Sequence, residues 1–256
     1  MLIHGAAFRD DSKFYNYWGR IPGVLKAEGA DIYYSGQDAW GSIEANAGTI
    51  RENILSILSK TGAGKINLIA HSKGGLEARY MISSMNMGKH IASLTTISTP
   101  HHGSKIIDIV YGLPVFLFRS ISFFVDLFFK ILGDKHPDFY NACRQISGIY
   151  CRGFNEINTD SPDVFYQSYA ARMKSAFSDL FFFLSFLIVK ITSGDNDGLV
   201  TVESAKYGEF KGVMEGKGLR GISHADEVDL RRRDNRSFNI IEQYVKIIDD
   251  LREKGF

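Results

Sequence analysis

At 256 residues the chain lies at the upper end of single-domain length, so one domain over residues 1–256 is expected. Hydrophobic residues make up 45% and charged residues 23%, a globular balance that excludes a disordered or fibrous chain. Thirty Lys plus Arg against 29 Asp plus Glu leave a net charge of +1, so no basic excess marks nucleic acid as a partner.

In chain order, Met1 leads into a short apolar strand, Leu2-Ile3, and then His4-Gly5. No basic segment followed by an apolar run opens the chain, so no signal peptide is expected. Residues 31–35 read as a strand. Ser42 then caps a helical pattern with Ile43, Ala47, Ile50, Ile54 and Ile57 or Leu58 on one face. Residues 65–70 form the next strand, Gly74 to about Met85 a helix, and 91–98 another strand. A strand at 164–170 follows a long gap, and a last helix runs from Ser237 to about Arg252, with Ile241, Tyr244, Ile248 and Leu251 inward. This alternation predicts an α/β fold: a mostly parallel sheet of about six strands with helices on both faces.

The gap is the break in rhythm. Residues 104–163 form an insertion too long for a plain crossover, and 176–191 is a possible second element beside it. Of 19 Phe in the chain, six fall in 116–129 and five in 177–186. Neither segment reads as a transmembrane span. Pro114 and Arg119 interrupt the first, and the uncharged run from Leu180 to Val189 is about half the needed length. Both could lie on a lipid surface. One reading is a mobile lid hinged at Gly112-Leu113-Pro114 and Gly133, closed over an acyl pocket in water. The other is a fixed helical cap. Two cysteines, Cys143 and Cys151, are too few for a disulfide scaffold or a thiolate metal site.

The sharpest local signal is Ala70-His71-Ser72-Lys73-Gly74-Gly75, between an apolar strand and a helix. A serine on such a turn is a nucleophile elbow, and small residues two before and two after it let helix and strand approach. Ala70 stands where glycine is usual. A serine nucleophile needs a base and an orienting acid, in the chain order Ser, acid, His for this fold type. Of seven histidines, only His224 follows the Gly194-Asp195-Asn196-Asp197-Gly198 loop, where a carboxylate at a strand end belongs. Ser72, Asp197 and His224 satisfy the order, with Asp195 an open competitor for the acid. The segment His4-Gly5-Ala6-Ala7 is placed to supply an oxyanion donor.

Together these stretches resemble the secreted bacterial true lipases of the Pseudomonas and Burkholderia type, of the α/β-hydrolase fold. The matching residues are Ile3-His4-Gly5, Tyr17-Trp18-Gly19-Arg20-Ile21-Pro22, the elbow with Asn67-Leu68-Ile69, Thr99-Pro100-His101-His102-Gly103-Ser104, Asn196-Asp197-Gly198-Leu199-Val200 and His224-Ala225-Asp226-Glu227-Val228. The resemblance implies a triacylglycerol lipase with interfacial activation, needing no organic cofactor and acting on lipid esters at a lipid–water interface. It makes Asp197 the triad acid and the backbone amides of Ala6 and Lys73 the oxyanion donors. It also implies one structural Ca²⁺ near the histidine, held by two aspartates and backbone carbonyls. Asp226 matches one of these, and Asp179 is the only acid in 176–191 to serve as the other. Many relatives carry a disulfide, but Cys143 and Cys151 do not fall at its positions. The resemblance implies secretion, for which the chain shows no signal, so the compartment stays open. An esterase for short soluble esters, a phospholipase and a catalytically inactive membrane-surface module remain alternatives.

Overall fold

Successive side chains of a strand point to opposite faces, so an apolar strand in mid-sheet demands cover on both sides. Leu68 and Ala70 pack into one cluster and Ile69 into another, and Ile3 and Leu2 divide in the same way. The computed structural model describes residues 1–10, 16–112, 114–233 and 238–256. In it, β1 (Leu2–Ile3), β2 (Ile66–His71), β3 (Ile91–Ile97), β4 (Phe165–Ala171) and β5 (Glu209–Met214) form one parallel sheet in that order. On one face lie α2 (Ile43–Thr61) and α3 (Lys73–Ser83), through Ala47, Ile50, Ile54, Leu58, Ala78, Met81 and Ile82. On the other lie α1 (Ile21–Ala27) and α10 (Ile240–Glu253), through Ile21, Leu25, Ile240, Tyr244, Ile247 and Leu251.

Helix α2 follows its sequence pattern. Ser42 accepts a hydrogen bond from the Ala45 N–H at 3.2 Å, and Gly62 ends the helix at φ 74°, where a side chain would be strained. Other expectations need correction. Among the described residues the sheet has five strands, where about six were expected: residues 31–35 contribute only a bridge from Tyr34 to Leu2, because two-residue β1 offers too little edge to pair. The loop that carries Asp197 is present as expected but follows a helix rather than a strand end, lying between α8 (Phe183–Ser193) and α9 (Val202–Ala205). Strand β5 was not anticipated. It is the sheet edge, and its exposed Glu209 and half-buried Lys211 and Gly212 hide the apolar alternation. Helix α10 buries Tyr244 and Leu251 as expected, but Ile240 and Ile247 complete the buried face, whereas Ile241 and Ile248 lie at the shoulder of the same broad stripe. Its expected start, Ser237, lies outside the described residues, as does Leu113.

The insertion consists of α4 (Lys105–Val110), α5 (Val115–Ile131), α6 (Phe139–Arg144) and α7 (Gly148–Ile157). Its far end is anchored: Cys151 and Phe154 of α7 pack with Ile43 and Leu76. Cys143 and Cys151 are buried free thiols, both pushed up to about 12, chiefly by desolvation. Pro114 starts α5, and Gly133 closes it at φ 109°. Just beyond, the Asp134 carboxylate accepts the N–H groups of Ala39 and Trp40, each at 3.1 Å, and Asp38 accepts those of Lys135 and His136 at 2.9 and 2.6 Å. Helix α5 itself buries only Phe118 and Ser122. Phe116 is 75% exposed, Phe124 69% and Phe123 63%, so this apolar surface lies open rather than folded over a pocket. In the second segment Phe177, Leu180, Phe181 and Leu184 are exposed likewise. Among the described residues, no helix is long and apolar enough to cross a membrane.

Candidate active site

Strand β2 ends at His71, and Ser72 turns the chain into α3 with φ 54° and ψ −132°. A non-glycine residue in that region costs about 1–3 kcal/mol, which the surroundings must offset. They are tight. The Ser72 N–H bonds the Ile97 carbonyl at 3.0 Å, and a Cβ on Gly74 would come within 2.4 Å of the His4 carbonyl oxygen. A Cβ on Gly5 would lie 2.7 Å from the Ser72 Cβ. The glycine after β1 and the glycine two after the serine are therefore required by close approach.

Three of the residues singled out from sequence meet in one hydrogen-bonded chain. The Ser72 hydroxyl lies 3.0 Å from His224 Nε2, and His224 Nδ1 lies 2.7 Å from Asp197 Oδ2. The other carboxylate oxygen, Oδ1, accepts the N–H groups of Leu199 and Val200, each at 2.8 Å. The backbone closes the pair as well, since the His224 N–H bonds the Asp197 carbonyl at 2.9 Å. Asp197 is fully buried. Burial raises its pKa, but the His224 ring and the hydrogen bonds it accepts outweigh this and hold it below the ordinary value. Asp195 is not brought to this site: 37% exposed, it pairs with Arg172 and Lys190.

Of the expected oxyanion donors, Lys73 is the first residue of α3, where backbone N–H groups lack helical partners. Ala6 follows Gly5, which packs against Ser72. The Lys73 amino group is buried and bonds the Gly41 carbonyl at 2.7 Å and Glu77.

Behind His224 lies a set that sequence reasoning missed. The His71 ring stands 4.4 Å from that of His224 and is hydrogen-bonded through Nδ1 to the Tyr17 hydroxyl at 2.6 Å and through Nε2 to Glu227 at 3.1 Å. Desolvation, then the nearby His224, pushes the His71 pKa well below 6.5 and keeps the ring neutral. Desolvation, then Asp197, pushes Glu227 well above 4.5. His71, His224 and Glu227 could in principle converge on a metal ion, but their ring nitrogens and Glu227 Oε2 are already committed to these protein bonds. Tyr17 and Glu227 sat within quoted motifs, and Glu227 follows His224 by one helical turn, the one signal that could have found it.

The two acids expected to hold calcium carry arginines. Asp179 receives the Arg231 guanidinium on both oxygens at 2.5 and 2.6 Å, and Asp226 receives that of Arg220 at 2.9 and 3.1 Å. Calcium takes six to eight oxygens at roughly 2.3–2.6 Å. With these carboxylates bound by cations, the residues present do not fit that ion.

A family model described as a PGAP1-like alpha/beta domain matches residues 45–113. Triacylglycerol lipase 2 of Saccharomyces cerevisiae is 32% identical over 272 residues, covering 97% of this chain and 78% of the yeast protein. The triacylglycerol lipase of Burkholderia plantarii is 35% identical over 147 residues, covering 53% of this chain and 40% of its own. Among solved structures, Staphylococcus hyicus lipase superposes with a TM-score of 0.72 at 16% identity, covering 98% of this chain and 94% of that one. Mature Bacillus licheniformis lipase BlEst2 gives 0.68 at 19% identity, covering 90% and 86%. The structural likenesses show the α/β-hydrolase fold. The yeast relative, matched along nearly the whole chain, shows that the protein belongs to the triacylglycerol lipase family and hydrolyses lipid esters.

Proposed function

We propose that the chain is a triacylglycerol lipase of the Pseudomonas and Burkholderia type that works at a lipid–water interface, with Ser72, His224 and Asp197 as its triad. Ser72 attacks the ester carbonyl while His224 Nε2 takes its proton. Asp197 fixes the Nδ1–H tautomer and stabilises the imidazolium. The amides of Ala6 and Lys73 receive the oxyanion, a contribution worth on the order of 100-fold or more in rate. His224 then protonates the departing alcohol, leaving Ser72 acylated. Water, deprotonated by His224, attacks the acyl-enzyme and releases the fatty acid.

The observation that carries the interfacial reading is the pair of open apolar segments flanking these residues. On one side, the Phe182 ring lies 6.4 Å from that of His224, with Phe177, Leu180 and Phe181 exposed beside it. On the other, Phe129 of α5 packs edge-on to Trp40, and the preceding Ala39 carbonyl accepts the Ala7 N–H. Apolar surface of this kind, extending over much of α5, is unfavourable in water and favourable in lipid. Residues 104–163 with 176–191 act as the lid, and the exposure of Phe116, Phe123 and Phe124 supports an open position of α5 within it.

The test is turnover of emulsified triolein, phosphatidylcholine vesicles and soluble p-nitrophenyl butyrate, followed through each substrate's solubility limit. Triglyceride hydrolysis rising steeply past that limit supports the reading. Preference for soluble butyrate with smooth saturation would make the protein an esterase, and preference for vesicles a phospholipase.

A further inference from the structure

The segment around His224 is held by three arginine–aspartate forks. Asp179, almost fully buried, has four donors on its two oxygens: Arg231 Nη1 at 2.5 Å, Arg231 Nη2 at 2.6 Å, the Ser223 hydroxyl at 2.8 Å and the Phe181 N–H at 3.1 Å. A carboxylate offers about four acceptor positions, so this one is filled. Asp226 takes Arg220 on both oxygens and the Ser223 N–H at 3.1 Å. Asp229 takes the Arg20 N–H at 2.9 Å, its Nε at 2.8 Å and its Nη2 at 2.9 Å. Ser223 and Arg231 lie on the His224 segment, whereas Asp179 opens the apolar segment that carries Leu180 and Phe181. The Asp179 fork thus joins the two.

We propose that Arg231 is a positioning residue that holds the His224 segment to Asp179, in the place where a calcium ion is expected, and that the protein is consequently independent of calcium. A guanidinium supplies there what a structural cation would: positive charge between two loops and directed bonds to carboxylate oxygens. It supplies them in a planar fork that matches a carboxylate on two atoms, which a lysine cannot do. It also repels a divalent ion from oxygens it already occupies. Only the kinetic part of this inference rests on His224 being the base.

The experiment uses the whole chain. For the native protein, melting temperature and the rate on soluble p-nitrophenyl butyrate are measured in EGTA and in millimolar CaCl₂, with terbium luminescence as a direct probe of lanthanide binding. The expected result is no shift, no rate change and no saturable terbium signal. Arg231→Met should lower the melting temperature. It should also cut kcat on the order of ten- to a hundred-fold with KM nearly unchanged, since a displaced base costs rate rather than binding. Arg231→Lys should recover part of both. A calcium-dependent rise in the native melting temperature, reversed by EGTA, would overturn the inference, as would wild-type kcat and stability in Arg231→Met. If Arg231→Met does not fold, the metal measurements on the native protein still decide. A native protein inactive on every ester would sink the lipase reading while leaving the melting and terbium results to judge the forks.

Discussion

Asp197→Asn should remove almost all ester hydrolysis without unfolding the protein. Oδ1 of Asp197 faces two backbone donors, Leu199 N–H and Val200 N–H, both at 2.8 Å. An amide NH₂ at that position would confront two N–H groups, so the asparagine must keep its carbonyl oxygen there. Its NH₂ then points at His224 Nδ1, 2.7 Å from the present Oδ2. Nδ1 must become the acceptor, the ring proton moves to Nε2, and Nε2 can no longer take a proton from Ser72. The loss expected from this wrong tautomer is roughly 10,000-fold in kcat. Asp195→Asn provides the contrast. Asp195 is 37% exposed, and its surface pairs with Arg172 and Lys190 are worth at most about 1 kcal/mol. Its rate should stay within about two-fold of wild type, there being no contact to the ring. Initial rates on soluble p-nitrophenyl butyrate, with far-UV circular dichroism as a control for folding, measure both. A crippled Asp195→Asn beside a mild Asp197→Asn would refute the assignment.

Phe123→Asp with Phe124→Asp should weaken adsorption to triglyceride emulsions by ten- to a hundred-fold per site, as each Phe contributes roughly 1.5–3 kcal/mol on entering lipid. Turnover of soluble p-nitrophenyl acetate should not change, and equal loss on both substrates would contradict the interfacial role. Gly74→Ala should cost about 1–3 kcal/mol of stability by overpacking, because its Cβ would meet the His4 carbonyl, which is backbone and cannot swing away; an unchanged urea midpoint would count against that packing. Stability should also fall as pH drops below about 6.5. Burial holds the His71 and His101 rings well below that value, so they remain neutral in the fold while the unfolded chain takes up two protons. Glu227, raised by burial, works in the opposite sense and offsets part of this fall. The fall is read from urea midpoints at pH 7, 6 and 5. A flat midpoint over that range would show that the two rings titrate normally.

The features that could be read from sequence are those written in local pattern. Ile43, Ala47, Ile50, Ile54 and Leu58 recur at helical spacing and are all buried on α2. Ala70 and Gly74 mark the elbow because backbone approach there leaves room for little else. The order Ser, acid, His selected Ser72, Asp197 and His224, which the fold brings into one chain of hydrogen bonds. Features that depend on distant partners were hidden. Strand β5 owes its place to β4, not to its own weak alternation. Nothing near Asp179 announces Arg231, 52 residues away, so a lone acid in an apolar run read as a metal ligand. The orientation of α5 was hidden for another reason: Arg119, Ser122, Asp126 and Lys130 mark a polar stripe, but periodicity cannot say whether the broad apolar remainder is covered.

The most direct test of the account is labelling of the native protein with a serine-reactive phosphonate ester, followed by peptide mass spectrometry and triglyceride hydrolysis on the same sample. The account predicts one label per chain, on Ser72, with activity lost in proportion and no label on Ser72→Ala. Full triglyceride hydrolysis by protein labelled at Ser72, or loss of activity with the label on another residue, would contradict it.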